Sequence, residues 1–129
     1  VIMVTSALPG EGKTFTSVNL AMSIALELDS RVLLIDADVT RPSVMAQLGL
    51  RESRGLMDAL LDPGLDLSEV LLRTNVEKLS LLPAGSADAR STELLASDAM
   101  ARFVSELHGR YRDRILVFDA PPLLATTEA

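Results

Sequence analysis

A run of small residues that ends in a lysine and a threonine is the part of this sequence best suited to chemistry. Residues 7–14 read ALPGEGKT, after the apolar segment VIMV at residues 1–4 and before a stretch with helical spacing. Small residues let backbone N–H groups turn toward an anion, and the positive end of the following helix adds to the attraction. This order of strand, loop and helix predicts a phosphate-binding P-loop. In such a loop Lys13 reaches the terminal phosphates of a nucleotide, and the Thr14 hydroxyl ligates Mg²⁺.

The loop departs from the P-loop consensus at its first position, where Ala7 stands in place of glycine. Alanine resists a positive φ, but it is small enough for the backbone to approach a phosphate closely. An ordinary glycine-rich turn before a helix is the alternative interpretation. The residues predicted to bind the nucleotide are Pro9, Gly10, Glu11, Gly12, Lys13, Thr14 and Phe15.

Two further apolar segments end in aspartate. Residues 32–35 (VLLI) are followed by Asp36 and Asp38, and residues 115–118 (ILVF) are followed by Asp119. Mg²⁺ prefers oxygen ligands and usually takes one or two carboxylates besides phosphate oxygens and water. Thr14, Asp119 and one of the pair Asp36 and Asp38 would meet that need. The set of metal ligands that we predict is Thr14, Asp38 and Asp119.

The predicted catalytic residues are Lys13, Asp36 and Asp38. One carboxylate of the Asp36/Asp38 pair would accept a proton from an attacking hydroxyl or orient a water molecule. The sequence does not decide which of the two is the base. The alternative interpretation is that carboxylates after strands make turns or cap neighbouring helices.

Strands and helices that alternate along the chain must position these residues. A helix is expected from about residue 13 to residue 28, shorter helices near residues 42–49 and 55–61, and another after Ser97 as its N-cap. A weaker strand is expected at residues 79–82. Continuous apolar strands separated by helices predict a three-layer α/β/α P-loop NTPase core with a mostly parallel sheet. Because ligands of open α/β sheets bind beyond the carboxyl ends of the strands, all the candidate chemistry falls on one edge.

Composition narrows the class of protein. The 129 residues fit one domain or part of one, and an apolar share of 48% supports a buried core. A net charge of −6 argues against a nucleic-acid surface, which needs a basic face. The absence of cysteine excludes disulfides and thiolate metal sites. No apolar run approaches the roughly 18 residues of a membrane span, and we identify no signal peptide.

Three segments together resemble the bacterial tyrosine kinases (BY-kinases), which are P-loop kinases of polysaccharide export and capsule synthesis. SALPGEGKT, LLIDADVTRP and LVFDAPP are similar to the Walker A, Walker A′ and Walker B motifs of that family. GLMDAL, LLPAG and STELLAS resemble connecting segments of the family, so the likeness covers nearly the whole chain. The sequence of the Walker A′ segment is most similar to that of the tyrosine autokinases associated with exosortase systems.

The resemblance implies a tyrosine autokinase of a polysaccharide biosynthesis or export system, which transfers the γ-phosphoryl group of ATP to tyrosine. It implies ATP and Mg²⁺ as cofactors, with Lys13 and Thr14 on phosphate and metal, and Asp119 on metal. It places Asp36 and Asp38 in catalysis and metal binding. It also implies a membrane activator protein as partner, a homo-oligomer in the complete protein, and a cytoplasmic location at the inner face of the plasma membrane.

The sequence departs from related proteins at two positions. Thr40 stands where family members often carry arginine, and Leu8 stands where partitioning and cell-division-site ATPases carry a second lysine. The second departure favours a kinase over a nucleotide-switched positioning ATPase. A non-catalytic nucleotide-binding regulator is the other alternative. Residues 1–129 are expected to be a P-loop core, incomplete at both ends relative to the family domain, whose activity in isolation is left open. Tyr111, the only tyrosine, is interpreted as structural.

Overall fold

The computed structural model describes residues 2–4, 12–38, 44–51, 53–62, 64–85, 91–95 and 97–120. Several predictions fall on residues outside these ranges and stay predictions. They concern the loop residues Ala7, Leu8, Pro9, Gly10 and Glu11, and, after the second strand, Thr40, Arg41, Pro42 and Ser43.

In the part of the chain that the structure describes, five strands form one sheet, and its mostly parallel pairing confirms the predicted fold class. The strands are β1 (Ile2–Val4), β2 (Arg31–Asp36), β3 (Leu72–Arg73), β4 (Leu79–Leu82) and β5 (Arg114–Asp119). They lie in the order β1-β5-β2-β4-β3, and every neighbouring pair is parallel except β3 and β4. The two-residue β3 was not predicted, because so short a segment shows no alternation of apolar and polar residues.

The helices follow the predicted positions with small differences at their ends. They are α1 (Lys13–Leu26), α2 (Val44–Gln47), α3 (Leu56–Leu61), α4 (Ser91–Leu95) and α5 (Asp98–Arg110), and a short 3-10 turn lies at Leu67–Glu69. The helix α1 ends two residues earlier than predicted, and Asp29 just beyond it has a φ of 55°. Aspartate adopts this left-handed conformation more readily than most residues, which suits it to reversing the chain before β2. Neither α4 nor the 3-10 turn was predicted.

Two apolar clusters cover the two faces of the sheet, which gives the predicted three layers. Successive residues of β2 alternate between them, since side chains along a strand point to opposite faces. Val32 and Leu34 pack with α1 and α2, and Leu33 and Ile35 pack with α3 and α5. Both faces of the strand are therefore buried, as its unbroken apolar sequence indicated.

The residues that flank α5, Ser97 and Tyr111, were predicted to be its N-cap and a structural residue, respectively. Ser97 is the N-cap residue, but its hydroxyl donates to the Leu94 carbonyl oxygen at 2.6 Å and makes no cap hydrogen bond. Tyr111 follows the helix and is half-buried, with the Arg114 guanidinium 4.7 Å from its ring centroid. This contact supports the structural interpretation of Tyr111. Of the helices that are described, none has the length and apolar character needed to span a membrane.

Candidate nucleotide-binding site

The carboxyl ends of β2 and β5 bring two of the predicted aspartates side by side. The strands are parallel neighbours, and their register pairs Asp36 with Asp119. Val4 of β1 pairs with Asp119 from the other side. The helix α1 begins at this edge with Lys13, directly after Gly12, whose φ of 76° favours glycine. The fold therefore delivers the lysine of the loop to the ends of the acidic strands.

Lys13 links the two acidic strand ends through its ammonium group. Its Nζ lies 3.0 Å from Asp38 Oδ2 and 3.0 Å from Asp119 Oδ1. The lysine is only 9% exposed, and both aspartates are buried. Burying a charge is costly unless it is paired, so three charges in one buried site must compensate one another. The pairing holds Lys13 at the place where the phosphates of a nucleotide are predicted.

The Asp119 carboxylate accepts hydrogen bonds from two hydroxyl groups of α1. Its Oδ2 accepts from the Thr14 hydroxyl at 2.8 Å, and its Oδ1 accepts from the Ser17 hydroxyl at 2.9 Å. Ser17 was not among the residues predicted from the sequence. The available signal was its position one turn after Lys13, on the face of α1 that otherwise carries small apolar residues such as Ala21. A polar residue on a buried helix face needs a partner, and here the partner is Asp119.

Asp36 holds the backbone at the end of β2. Its Oδ1 accepts from the Asp38 N–H at 3.1 Å, and its Oδ2 accepts from the Val44 N–H at 3.2 Å. It thereby ties the strand end to the start of α2. Burial raises the pKa of Asp36 to about 7, and the negative charge of Asp119 acts in the same direction. The two backbone hydrogen bonds and the positive charge of Lys13 lower its pKa and so oppose that rise.

The structure brings together most of the predicted site residues that it describes. Lys13, Thr14, Asp38 and Asp119 form one contiguous group of ion pairs and hydrogen bonds, and Asp36 adjoins it in the register of the sheet. We call these five residues and Ser17 the polar cluster. Phe15 also belongs to the predicted nucleotide-binding set, and its side chain is 59% exposed on α1.

The oxygen donors of the polar cluster suit Mg²⁺. Among the described residues, no group of three or more His, Asp or Glu side chains forms a metal cage by itself. Mg²⁺ does not need such a cage, since it keeps several waters and shares phosphate oxygens with one or two carboxylates. The buried carboxylates of Asp38 and Asp119 and the hydroxyl of Thr14 offer that set. The donor chemistry therefore fits the metal predicted from the sequence.

A separate cleft of about 450 Å³ lies between α3, the 3-10 turn and α5. Phe103 and Leu67 are among its apolar residues, and Arg110 is among its charged ones. Arg110 pairs with Asp66 at 3.8 Å, and such exposed pairs add little stability. The cleft contains none of the predicted site residues.

A lysine that follows a segment with P-loop spacing and faces carboxylates after two parallel strands defines the class of this protein as a P-loop nucleotide-binding fold. The chain belongs to the AAA domain family, which it matches over residues 1–128.

Curated relatives confirm the resemblance to the bacterial tyrosine kinases. Tyrosine-protein kinase CpsD of Streptococcus pneumoniae serotype 4 is 43% identical over 126 residues, which cover 95% of this chain and 53% of the relative. Tyrosine-protein kinase YwqD of Bacillus subtilis is 36% identical over 128 residues, which cover 99% of this chain and 52% of the relative. The chain thus spans about half the length of these two relatives.

Solved structures agree on the fold. The VpsO kinase domain superposes with a TM-score of 0.87 at 34% identity, covering 98% of this chain and 61% of that one. The septum site-determining protein MinD from Pyrococcus horikoshii, complexed with Mg-ADP, superposes with a TM-score of 0.73 at 25% identity. That match covers 93% of this chain and 48% of MinD. The fold is therefore shared with both a kinase domain and a septum site-determining protein that binds Mg-ADP.

Proposed function

We propose that the complete protein is an ATP-dependent protein-tyrosine autokinase of a polysaccharide biosynthesis or export system. The observation that carries the proposal is the pair of 3.0 Å contacts from the Lys13 ammonium to Asp38 and Asp119. These contacts join the loop lysine to the segments that resemble the Walker A′ and Walker B motifs. The names of the relatives, which are tyrosine-protein kinases, support the same function.

In this proposal, Lys13 supplies positive charge where negative charge gathers on the transferred phosphoryl group. Because the lysine is buried and already paired, it needs little reorganisation to exchange a carboxylate partner for a phosphate. Thr14, Asp38 and Asp119 would hold Mg²⁺, which supplies further positive charge beside the phosphates when bound.

Asp36 is the proposed general base, because a pKa near 7 suits a group that must take up a proton at neutral pH. Both of its oxygens already accept backbone N–H groups, so the carboxylate is held in one orientation. Asp38 is the alternative base, and its contact with Lys13 favours a role beside the phosphates and the metal.

The proposed ligands and partners follow from the same reasoning. The nucleotide is ATP or ADP with Mg²⁺, as the Mg-ADP of the MinD complex supports. We propose further that the complete protein assembles as a homo-oligomer and meets a membrane activator of polysaccharide export at the inner face of the plasma membrane. The family resemblance supports these partners, and the net charge of −6 disfavours nucleic acid.

Transfer of radiolabelled γ-phosphate by the complete protein tests the proposal. We expect labelled phosphotyrosine from the wild type, a loss of at least about a hundredfold for Asp38→Asn, and little change for Asp62→Asn. The control removes an exposed carboxylate just beyond α3, outside the polar cluster. Release of phosphate without phosphotyrosine would instead indicate a positioning ATPase. Tight ATP binding without either reaction would indicate a regulator.

A further inference from the structure

We propose that Ser17 is a positioning residue that holds the Asp119 carboxylate in place while Mg²⁺ and a nucleotide are bound. The proposal rests on the proposed nucleotide-binding function of the polar cluster. No sequence motif pointed to Ser17, and it has no predicted contact with the nucleotide or the metal. Its role is inferred from its place in α1 and from its hydrogen bond to Asp119 at the end of β5.

The Ser17 hydroxyl has two acceptors within reach and only one hydrogen to donate. Asp119 Oδ1 lies at 2.9 Å, and the Lys13 carbonyl oxygen lies at 3.1 Å. A carboxylate is the stronger acceptor, because hydrogen bonds to ionised groups are shorter and stronger than those to neutral ones. Ser17 and Asp119 are both fully buried, so water does not compete for this contact. The shorter distance and the charge both favour donation to Asp119.

Asp119 has three protein donors, and two of them have a second task. Lys13 is predicted to turn to the phosphates, and Thr14 is predicted to ligate the metal. Both contacts to Asp119 then weaken when the nucleotide binds. Ser17 lies one turn further into α1, away from the loop, and has no such task. It is therefore the donor expected to keep the carboxylate oriented in the nucleotide-bound state.

Because of this difference, removing the Ser17 hydroxyl should have an effect only when the metal is bound. In the free protein, Lys13 and Thr14 still hold Asp119 when the serine hydroxyl is removed. In the presence of nucleotide and Mg²⁺, the same change leaves the carboxylate without a fixed protein donor. A serine that merely satisfied the helix backbone would affect both states alike.

Nucleotide binding by the complete protein, measured with and without Mg²⁺, tests the proposal. For Ser17→Ala we expect the Mg²⁺ concentration at half-saturation to rise about tenfold, the size of one lost hydrogen bond to a charged group. We expect the affinity for ATP in EDTA to change less than about twofold, because Thr14 still donates to Asp119 when no metal is bound. Ser17→Thr keeps a hydroxyl and should restore most of the Mg²⁺ response. Thr16→Ala removes an exposed hydroxyl from the adjacent position and should leave both measurements unchanged.

An equal loss of binding with and without Mg²⁺, or no loss in either, would overturn the role of Ser17. If Ser17→Ala proves unstable, Ser17→Cys provides the same comparison, because a thiol donates weakly at a similar volume. Failure of the kinase proposal remains distinguishable. A wild type that forms no phosphotyrosine, yet shows the Mg²⁺-selective effect of Ser17→Ala, would reject the kinase reaction and retain the positioning role.

Discussion

The carboxyl edge of the sheet carries two junctions that are built in opposite ways. The polar cluster joins α1 to β2 and β5 through charged side chains, with Lys13 between Asp38 and Asp119. The second junction joins α3 to the end of β4 mainly through backbone atoms. We call it the α3–β4 junction, and its residues are Gly55, Leu56, Met57, Asp58, Pro83, Ala84 and Gly85.

Close approach of two backbone segments defines the α3–β4 junction. The Leu56 N–H donates to the Pro83 carbonyl at 2.8 Å, and the Met57 N–H donates to the Ala84 carbonyl at 2.9 Å. Helices leave their first N–H groups without intrahelical partners, so the end of β4 satisfies donors that α3 cannot. A Cβ at Gly55 would collide with the Pro83 carbonyl oxygen. The junction therefore satisfies its polar groups within the fold and requires glycine for its geometry.

The two junctions differ in what a substitution should cost. The polar cluster keeps buried charges that a bound phosphate and metal can use, so changes there should reduce activity or alter how stability depends on pH. The α3–β4 junction offers no charge that a ligand needs, so changes there should mainly reduce the free energy of unfolding. Four predictions follow from that contrast.

Lys13→Met should give the largest effect, on activity. Removing the ammonium leaves nothing in the polar cluster to neutralise the phosphates, and we expect phosphoryl transfer to fall at least about a thousandfold. The loss is measured as transfer of radiolabelled phosphate by the complete protein, normalised to the amount of folded protein by circular dichroism. The matched control is Lys78→Met, which removes a lysine paired with Asp29 at 2.8 Å, away from the cluster. Activity within tenfold of the wild type for Lys13→Met would contradict the assignment of the site.

Gly55→Ala should give the largest loss of stability. The new methyl group meets a backbone carbonyl that cannot rotate away, and relief would break the hydrogen bonds that start α3. Overpacking together with these bonds should lower the free energy of unfolding by about 5 kcal/mol. Urea denaturation measures it. The control Gly109→Ala introduces a methyl group into open space on α5 and should stabilise by about 0.5 kcal/mol. Tolerance of Gly55→Ala, at a cost below about 1 kcal/mol, would reject the description of the junction.

Asp36→Asn should change how stability depends on pH. The folded pKa of about 7 lies above the ordinary value of 3.8, so the folded state binds more protons between those values. Wild-type stability should therefore fall as the pH rises from about 4 to about 7, by up to about 4 kcal/mol. The variant lacks this titration, but one backbone N–H loses its acceptor, at a cost of about 1 kcal/mol.

The wild-type and Asp36→Asn stability curves should therefore cross. The variant should be less stable at pH 4 by about 1 kcal/mol and more stable at pH 8 by about 3 kcal/mol. Urea denaturation across this range measures both curves. Asp113→Asn removes an exposed carboxylate and serves as the control, with little effect expected. Parallel curves for Asp36→Asn and the wild type would show that burial of Asp36 carries no energetic penalty.

The sequence predicted the polar cluster better than the α3–β4 junction, for a physical reason. Lys13, Asp36 and Asp119 each stand directly beside an apolar strand or a small-residue loop, and such local patterns carry over into structure. Parallel strands then bring their carboxyl ends to one edge, so the proximity of these residues follows from the fold class. Ser17 was missed because one serine within a helical stripe forms no pattern.

The contact between Gly55 and the end of β4 could not be predicted from the residues alone. GLMDAL and LLPAG were noticed as family-like segments, but nothing local indicates that they touch. Their contact depends on the crossover between β2 and β4, which brings distant segments together. Glycine here is required by a neighbour far along the chain, and only the assembled structure displays that neighbour.

The smallest predicted effect tests the coupling between Asp58 and Gly85 in the α3–β4 junction. The Gly55 N–H donates to Asp58 Oδ2 at 2.8 Å, and a Cβ at Gly85 would lie 2.5 Å from that same oxygen. Asp58→Ala removes the acceptor and should cost about 1 kcal/mol. Gly85→Ala should cost about 2 kcal/mol, because a φ of 84° strains alanine and its methyl group meets the carboxylate.

In the double variant of Asp58 and Gly85 the methyl group no longer meets that oxygen. The combined loss should therefore be about 1 kcal/mol smaller than additivity requires, as measured by urea denaturation of all four proteins. Transfer of phosphate per folded molecule should stay at the wild-type level in each of them, unlike in Lys13→Met. Strict additivity would mean that the carboxylate moves aside freely and that only the backbone conformation makes glycine necessary at position 85. Loss of phosphoryl transfer in folded protein would instead mean that the α3–β4 junction also shapes the nucleotide site, and the contrast between the two junctions would fail.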